Sequence, residues 1–217
     1  MRLSRPRAVL FDWDNTLVDS FGAIHLALNH TLEAFGLAPW SYDKACRCVA
    51  KSMRDSFPEL FGARWREASD VFYASYAARH LEHVRPQPGA AALLEALNAA
   101  GVYLGVVSNK NGAYLRREVE HLGWGRSFGR VVGAADAKAD KPARAAVDLA
   151  LKGSGVAAGP DVWLVGDHPI DVECAVASGC LPIVVRGAVE TGVEVNLGGS
   201  GWRFASCTEL VELVRRF

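Results

Sequence analysis

The stretch VLFDWDNTLVDS, residues 9 to 20, decides the fold of this chain. It starts as an uninterrupted apolar run, which is typical of a strand that is covered on both faces of a sheet. The run ends in Asp12 and Asp14, two carboxylates that are one residue apart. Carboxylates this close repel and raise each other's pKa, so they need a compensating cation. The stretch therefore predicts a buried strand that delivers two acidic groups and a cation site to one edge of a sheet.

Apolar runs with a strong preference for strand structure recur along the chain, and helical patterns separate them. The five runs are AVLFDW (8 to 13), VYLGVVS (102 to 108), GRVVGA (129 to 134), DVWLVGD (161 to 167) and LPIVVR (181 to 186), and a short edge strand is expected at 202 to 205. Strands that are joined by helices lie parallel in one sheet, with the helices on its faces. We predict an α/β fold with a parallel sheet.

A long segment interrupts the pattern after the first run. About seventy residues separate that run from the next helix of the core, far more than a compact α/β connection contains. The apolar residues of this segment recur at helical spacing, first from Ile24 to Phe35 and again from Trp65 to Ser75. We predict an α-helical domain at residues 20–85, inserted into a core domain of residues 1–19 and 86–217.

The composition describes a globular protein and disfavours two kinds of partner. Half of the 217 residues are hydrophobic, and 24 Lys and Arg balance 24 Asp and Glu. The basic residues are scattered rather than gathered into a stripe, so nucleic acid is not expected as a partner. The first apolar stretch, Ala8 to Phe11, is too short to cross a membrane or to serve as a signal sequence. No membrane partner is expected either.

The five cysteines give no sign of a disulfide framework. They are odd in number and irregularly spaced, at positions 46, 48, 174, 180 and 207. Such a set fits reduced thiols in a reducing compartment. Cys46 and Cys48 lack the second ligand pair that a zinc site needs. We expect a cytoplasmic protein.

The carboxyl ends of the predicted strands carry most of the chemically reactive residues. In an open parallel sheet, ligands bind outside these ends. We call this edge of the sheet the rim. It would bring together residues that follow the first, second and fourth strands and one at the start of the helix after the third, namely Asp12, Asp14, Ser108, Asn109, Lys110, Asp167, Asp171 and Lys141. Mg²⁺ binds carboxylates and leaves its other positions to water and substrate phosphate. The set is therefore suited to phosphoryl transfer.

Four segments resemble, in the same order, the motifs of the haloacid dehalogenase superfamily of phosphatases: FDWDNTLVDS, VVSNK, DKPAR and GDHPIDVECAVASG. The helical insertion after the first motif is similar to the small cap of the subclass that includes phosphoglycolate phosphatases. The resemblance implies a Rossmann-like three-layer α/β/α core and a Mg²⁺-dependent phosphomonoester hydrolase that acts on a small soluble metabolite. Dehalogenases carry a tyrosine where this chain has Asp14, so dehalogenation is not expected.

The same resemblance implies roles for the acidic residues of the rim. Asp12 would be the nucleophile, which forms an aspartyl-phosphate, and also a Mg²⁺ ligand. Asp14 would be the general acid and base, with its backbone carbonyl on the metal, and Thr16 would support this loop with a hydrogen bond. Asp167 would complete the metal site, and Asp171 would bind the metal through water or position the lysine.

The neutral and basic residues would bind the substrate. The resemblance implies that Ser108 and Lys141 hold the transferring phosphoryl group and that Asn109 contributes a donor close by. Taken alone, Ser108 is also a candidate N-cap of the following helix. In the insertion, Arg54 or Lys51 would meet an anionic part of the substrate, although a solvated charged turn explains these two residues equally well.

Two other functions fit part of the pattern. A phosphomutase of the same superfamily would return the phosphoryl group to the substrate instead of to water. A signalling module that is phosphorylated on aspartate is less favoured, because receivers place that aspartate after the third strand, and GRVVGA ends without one. Phosphoglycolate, a nucleotide, a sugar phosphate and pyrophosphate all fit as substrates. The sequence also leaves open the role of His168 and the oligomeric state.

Overall fold

A computed structural model of the chain describes residues 3–49, 51–185, 196–197 and 201–217. The strands within these residues are β1 Ala8–Phe11, β2 Val18–Asp19, β3 Arg85–Pro86, β4 Tyr103–Asn111, β5 Arg130–Ala134, β6 Val162–Gly166, β7 Leu181–Val185 and β8 Trp202–Phe204. The helices are α1 Phe21–Ala34, α2 Tyr42–Cys48, α3 Met53–Phe61, α4 Trp65–Ala77, α5 His80–His83, α6 Ala90–Ala99, α7 Gly112–His121, α8 Arg144–Leu151, α9 Pro169–Ser178 and α10 Cys207–Val214.

Six of these strands form one parallel sheet, in the order β5, β4, β1, β6, β7 and β8. β1 lies in its interior: Phe11 pairs with Val106 of β4 on one side and with Val165 of β6 on the other. Each neighbouring pair of strands in this sheet is parallel, as expected when helices connect them. The predicted α/β fold is confirmed. Arg186, the last residue of the fifth predicted run, lies outside the described residues.

The side chains of β1 alternate between two apolar clusters, one on each face of the sheet. Val9 and Phe11 join the cluster that α6, α7 and α10 cover, whereas Ala8 and Leu10 join the cluster that α8 and α9 cover. Both faces of the strand are buried, which explains why its sequence is apolar throughout. These layers form a three-layer α/β/α core. None of the described helices is long and apolar enough to cross a membrane.

Helices α1 to α5 form an insertion between β2 and β3 and have an apolar cluster of their own. In this cluster, Ile24, Leu28 and Leu32 of α1 join Phe72 and Tyr76 of α4. A helical segment with a separate apolar cluster supports the proposed division of the chain into a core domain and a helical domain at residues 20–85. That division stays a prediction.

The chain enters and leaves the insertion through a two-stranded antiparallel ribbon. Val18 of β2 pairs with Pro86 of β3, and Asp19 pairs with Arg85. Beyond the ribbon, the backbone N–H of Gln87 donates to the carbonyl of Leu17 at 2.9 Å. The two connections to the insertion are therefore held side by side.

Candidate active site

The carboxyl ends of β1, β4 and β6 bring predicted site residues to one rim. These three strands are neighbours in the sheet. Asp12 follows the last residue of β1, Ser108 lies near the end of β4, and Asp167 follows the last residue of β6. Lys141 lies in the loop before α8. Because that helix begins at Arg144, the expectation that the lysine starts the helix is wrong.

The loop after β1 turns sharply at Asn15, whose backbone adopts the left-handed region with φ 61°. Asparagine is one of the few residues with a side chain that tolerate this conformation. The backbone N–H groups of Leu17 and Val18 both donate to the carbonyl of Trp13, at 3.0 and 3.1 Å, and close the turn. The side chain of Trp13 is fully buried in the apolar core. The turn thus returns the chain toward the insertion immediately after the rim.

Lys141 joins two carboxylates of the rim. Its Nζ donates to Asp12 Oδ1 at 2.5 Å and to Asp171 Oδ1 at 2.6 Å. Burial opposes the charge of the lysine, but the charges of Asp12 and Asp171 outweigh burial and raise the pKa of Lys141 above its usual value. Lys141 is therefore a fixed cation between the strand ends.

Asn109 holds the backbone of this lysine in place. Its Nδ2 donates to the carbonyl of Lys141 at 3.1 Å, and its Oδ1 accepts from the N–H of Lys141 at 2.9 Å. Two hydrogen bonds to one residue attach the loop before α8 to β4. The structure therefore gives Asn109 a contact with Lys141, whereas its role as a donor to substrate stays a prediction.

Three carboxylates lie close enough together to share a cation. Oxygen atoms of Asp12, Asp167 and Asp171 all lie within 4.8 Å of one another. Burial raises the pKa of Asp12 to about 7, since the charge of Lys141 offsets only part of this effect and the carboxylates Asp171 and Asp14 add to it. Burial and the charges of Asp12 and Asp171 likewise raise the pKa of Asp167. We call Asp12, Asp167 and Asp171 the carboxylate cluster.

Two local contacts orient the carboxylate cluster. Thr16 Oγ1 donates to Asp167 Oδ1 at 3.1 Å, and the backbone N–H of His168 donates to Asp171 Oδ2 at 3.0 Å. His168 Nδ1 accepts from the backbone N–H of Ile170 at 3.3 Å. Burial lowers the pKa of His168, so its imidazole is neutral and carries its proton on Nε2. Nε2 has no hydrogen-bond partner among the described residues.

The carboxylate of Asp14 is turned toward a different lysine. Lys110 Nζ donates to Asp14 Oδ1 at 2.6 Å, and Ser20 Oγ donates to the same oxygen. Asp14 is not a member of the carboxylate cluster. Its predicted contact with a metal uses the backbone carbonyl and stays a prediction.

Lys110 also binds Glu118, a fully buried carboxylate that is not among the predicted site residues. Lys110 Nζ and Trp13 Nε1 both donate to Glu118 Oε2, each at 2.7 Å. On the other oxygen, Tyr76 Oη donates to Glu118 Oε1 at 2.7 Å, and His80 Nδ1 lies 2.8 Å from it. We call these five residues the Glu118 cluster. It links α4 and α5 of the insertion with the lysine that binds Asp14.

The Glu118 carboxylate is ionised despite its burial. Burial disfavours the charge, but the charge of Lys110 and the hydrogen bonds from Lys110, Tyr76 and His80 outweigh it and hold the pKa of Glu118 below its usual value. The sequence contains a pattern that could have identified Glu118 as a buried, paired residue. On α7, Glu118 shares a face with the buried residues Leu115 and Val119, and a charged residue on a buried face requires a partner.

Ser108 is buried, and its Oγ accepts the backbone N–H of Lys110 at 3.2 Å. It does not cap the following helix. Asn111 is the N-cap of α7, and its Oδ1 accepts from the N–H of Ala113 at 3.0 Å. The alternative interpretation of Ser108 as a helix cap is therefore wrong.

A cavity of about 370 Å³ lies between the rim and the insertion. Its core side is lined by predicted site residues and by the lysine that binds Asp14, namely Asp12, Asp14, Ser108, Asn109, Lys110, Lys141, Asp167 and Asp171. Side chains of α1, α3 and α4 line the other side. The structure thus brings all of the predicted catalytic and metal-binding residues to the wall of one cavity.

Arg54 is not among the residues that line this cavity. Its Nε lies 2.6 Å from Asp140 Oδ2, in an ion pair whose angles fall outside the hydrogen-bond range. The Asp140 side chain is only 2 % exposed, and its Oδ1 accepts from the N–H of Ala135 at 2.9 Å. Lys51 does line the cavity, and its Nζ lies 3.4 Å from Glu59 Oε1. The structure thus gives Arg54 a partner in the core. The predicted contact of Arg54 with substrate stays a prediction.

A parallel α/β sheet with carboxylates, a lysine and a serine at its carboxyl edge, facing a helical insertion, is the architecture of one class of hydrolases. The sequence profile of the haloacid dehalogenase-like hydrolases matches residues 9–185. The chain therefore belongs to the haloacid dehalogenase-like hydrolase family.

Curated relatives show which kind of hydrolase this chain is. A phosphoglycolate phosphatase of Rhodospirillum rubrum is 37% identical over 192 residues, which cover 83% of this chain and 79% of the relative. A phosphoglycolate phosphatase of Aquifex aeolicus is 30% identical over 175 residues, which cover 80% of this chain and 81% of the relative. The chain is thus a phosphatase, similar to enzymes that act on phosphoglycolate.

Solved structures share the fold over nearly the whole chain. A predicted phosphoglycolate phosphatase from Haemophilus somnus has a TM-score of 0.85 at 19% identity, and the match covers 98% of this chain and 99% of that chain. CbbY from Rhodobacter sphaeroides, in complex with phosphate, has a TM-score of 0.82 at 19% identity and covers 94% of this chain and 96% of that chain. At these identities the likeness shows the fold alone.

Proposed function

We propose that the protein is a Mg²⁺-dependent phosphomonoester hydrolase that transfers the phosphoryl group of its substrate first to Asp12 and then to water. The observation that carries this proposal is the position of Asp12, which lies against Lys141 in the wall of the cavity that Ser108 also lines. A carboxylate nucleophile needs a cation and a donor that hold the phosphoryl oxygens in line with it. Lys141 and Ser108 supply these groups.

The carboxylate cluster fits a hard divalent cation. Its three members offer oxygen atoms within 4.8 Å of one another, and oxygen is the ligand that Mg²⁺ prefers. Burial raises the pKa of Asp12 and of Asp167, so a cation that stabilises both carboxylates finds a favourable site here. When bound, Mg²⁺ would neutralise these groups and polarise the phosphoryl oxygens. Asp12 and Asp167 would hold it directly, and Asp171, which binds Lys141, would hold it through water.

The residues of this chain can carry both halves of the reaction. A carboxylate oxygen of Asp12 attacks the phosphorus, the bond from phosphorus to the ester oxygen breaks, and Asp14 gives its proton to that oxygen. Asp14 then takes a proton from the water that attacks the aspartyl-phosphate, which releases phosphate and restores Asp12. Lys110 and Ser20 bind Asp14 Oδ1, so the transferred proton is assigned to Oδ2.

Residues around the nucleophile keep the reacting groups in place. Lys141 and Ser108 would bind the oxygens of the transferring group, and Asn109 holds the backbone of Lys141. Thr16 orients Asp167 through its hydrogen bond. The insertion, which lines the opposite side of the cavity, would exclude bulk water and admit the one molecule that hydrolyses the intermediate. The relatives named phosphoglycolate phosphatases support a small phosphomonoester as the substrate.

Phosphate release from a panel of small phosphomonoesters tests the proposal. We expect release in the presence of Mg²⁺, loss of release when EDTA removes the metal, and recovery when Mg²⁺ is added back in excess. The products should also be examined, because an isomer of the substrate without free phosphate would indicate a phosphomutase. A phosphoenzyme that persists for minutes would indicate the signalling function. Absence of release from every ester, with the protein folded, would contradict the proposal.

The role of Arg54 can be measured separately. We expect Arg54→Met to reduce stability more than substrate binding, because the buried Asp140 loses its cation, at a cost of roughly 1–3 kcal/mol. Since Arg54 does not line the cavity, KM should change less than about threefold. Thermal melts and initial rates measure the two effects, and Arg47→Met, at an exposed position of α2, is the matched control. A rise in KM of about tenfold at unchanged stability would instead assign Arg54 to the substrate.

A further inference from the structure

The part of the cavity that the insertion lines is predominantly apolar. Ile24 and Leu28 of α1, Phe57 and Leu60 of α3 and Phe72 of α4 are among its lining residues. Phe57 and Phe72 meet edge to face, with ring centroids 5.8 Å apart, so the two rings hold each other in place within this wall. Binding sites for apolar groups are lined in this way, with few polar atoms that fix orientation.

Within the part of the chain that the structure describes, every lysine of the cavity has a carboxylate partner, so none is unpaired for a second anionic group of the substrate. Lys51 pairs with Glu59 at 3.4 Å, Lys110 with Asp14 and Glu118 at 2.6 and 2.7 Å, and Lys141 with Asp12 and Asp171 at 2.5 and 2.6 Å. No arginine of the described residues lines the cavity.

The remaining basic group on this wall is His168, which is neutral. Its Nδ1 accepts a hydrogen bond from the backbone N–H of Ile170 at 3.3 Å and so carries no proton. His168 can therefore offer one N–H to a ligand but no positive charge. The carboxymethyl group of phosphoglycolate thus finds no unpaired cation among the described residues that line this cavity.

From these contacts we infer that the organic group of the substrate is uncharged and apolar. The enzyme then prefers an alkyl phosphate that carries such a group to phosphoglycolate. Burial of the apolar group against α1, α3 and α4 supplies the binding energy, and Lys141 and Ser108 bind the phosphoryl end. This inference rests on the proposed function, because it concerns the substrate of the same site.

A comparison of three esters tests the inference on the native chain. The probes are 2-phenylethyl phosphate, ethyl phosphate and phosphoglycolate, each assayed with Mg²⁺ for kcat/KM. The hydroxyl of glycolate is the more acidic leaving group, so intrinsic reactivity favours phosphoglycolate and a preference for the phenylethyl ester must come from binding. We expect kcat/KM for 2-phenylethyl phosphate to exceed that for phosphoglycolate by about 100-fold. Ethyl phosphate should fall well below the phenylethyl ester.

A charged substitution in the wall provides the converse test. Met53, the first residue of α3, lines the cavity and is partly exposed, so Met53→Arg can place a cation there without filling a closed core. We expect this variant to raise kcat/KM for phosphoglycolate by about tenfold and to lower it for the phenylethyl ester. Val176→Arg is the matched control, since Val176 is 64% exposed on α9 and does not line the cavity. It should leave both values unchanged.

The outcomes separate the inference from the proposed function. A native preference for phosphoglycolate, or equal kcat/KM for phosphoglycolate and the phenylethyl ester, would overturn the inference while the phosphatase mechanism stands. Release from none of the three esters, nor from the wider panel, would overturn the proposed function and the inference with it. A preference for the phenylethyl ester that Met53→Arg weakens would support both.

Discussion

Asp12→Asn is expected to reduce kcat for phosphate release by at least about 10³-fold. Asparagine has the shape of aspartate, but its amide cannot attack phosphorus to form the aspartyl-phosphate. The substitution also removes one carboxylate from the carboxylate cluster, so Mg²⁺ affinity should fall. Initial rates at saturating Mg²⁺ separate the loss of the nucleophile from the weaker binding of the metal.

We do not expect Asp12→Asn to destabilise the fold. Lys141 keeps Asp171 as a carboxylate partner, and burial raises the pKa of Asp12 to about 7, so the folded protein holds the Asp12 carboxylate at a cost that asparagine removes. The melting temperature in EDTA should equal or exceed that of the native chain. Asp161→Asn, at an exposed position just before β6, is the control and should keep full activity. Activity of Asp12→Asn within about tenfold of native would rule out Asp12 as the nucleophile.

Glu118→Ala should cause the largest loss of stability among these variants. It leaves Lys110 with one carboxylate fewer and leaves the donors of Trp13, Tyr76 and His80 buried without their acceptor. Loss of one partner from a buried ion pair costs roughly 3–5 kcal/mol. For a chain of this size, that corresponds to a fall in melting temperature of about 6–20 °C. Thermal or urea unfolding measures it.

The same substitution should affect the reaction through Asp14. Lys110 binds both Glu118 and Asp14. Without Glu118 the lysine is held by one carboxylate only, so the Asp14 side chain, the proposed general acid and base, is less well positioned. We expect kcat to fall by about tenfold or more at a temperature where the variant is folded, with a smaller change in KM. Glu120→Ala, at an exposed position of α7, should change neither property. If Glu118→Ala loses stability but keeps kcat, the Glu118 cluster supports the fold alone.

The strands of the core could be predicted from sequence because both of their faces are buried. Ala8 and Leu10 contact one apolar cluster while Val9 and Phe11 contact the other, so every position of the strand must be apolar. The position of Asp12 could be predicted for a related reason. Parallel strands end at the same edge of the sheet, so residues that follow them in sequence meet in space.

The contacts of the Glu118 cluster could not be predicted in the same way. Ser108 and Lys110 lie where the register of β4 against β5 shifts, and the carboxylates that Lys110 binds depend on how the insertion packs against α7. Arg54 is a similar case. Its partner, Asp140, lies in a loop of the core far along the chain, so the pairing depends on the orientation of α3 and not on the sequence around the arginine.

Because Val18 pairs with Pro86 and Asp19 with Arg85, residues 20–85 begin and end at adjacent backbone positions. A two-residue hairpin turn could join Asp19 to Arg85 without moving any strand of the large sheet, and a foreign helical segment could be grafted between them. Such a graft would need to restore the hydrogen bonds that Tyr76 and His80 make with Glu118. If the proposed function holds, replacing residues 20–85 as one segment would change the groups that face the substrate and leave the residues at the strand ends in place.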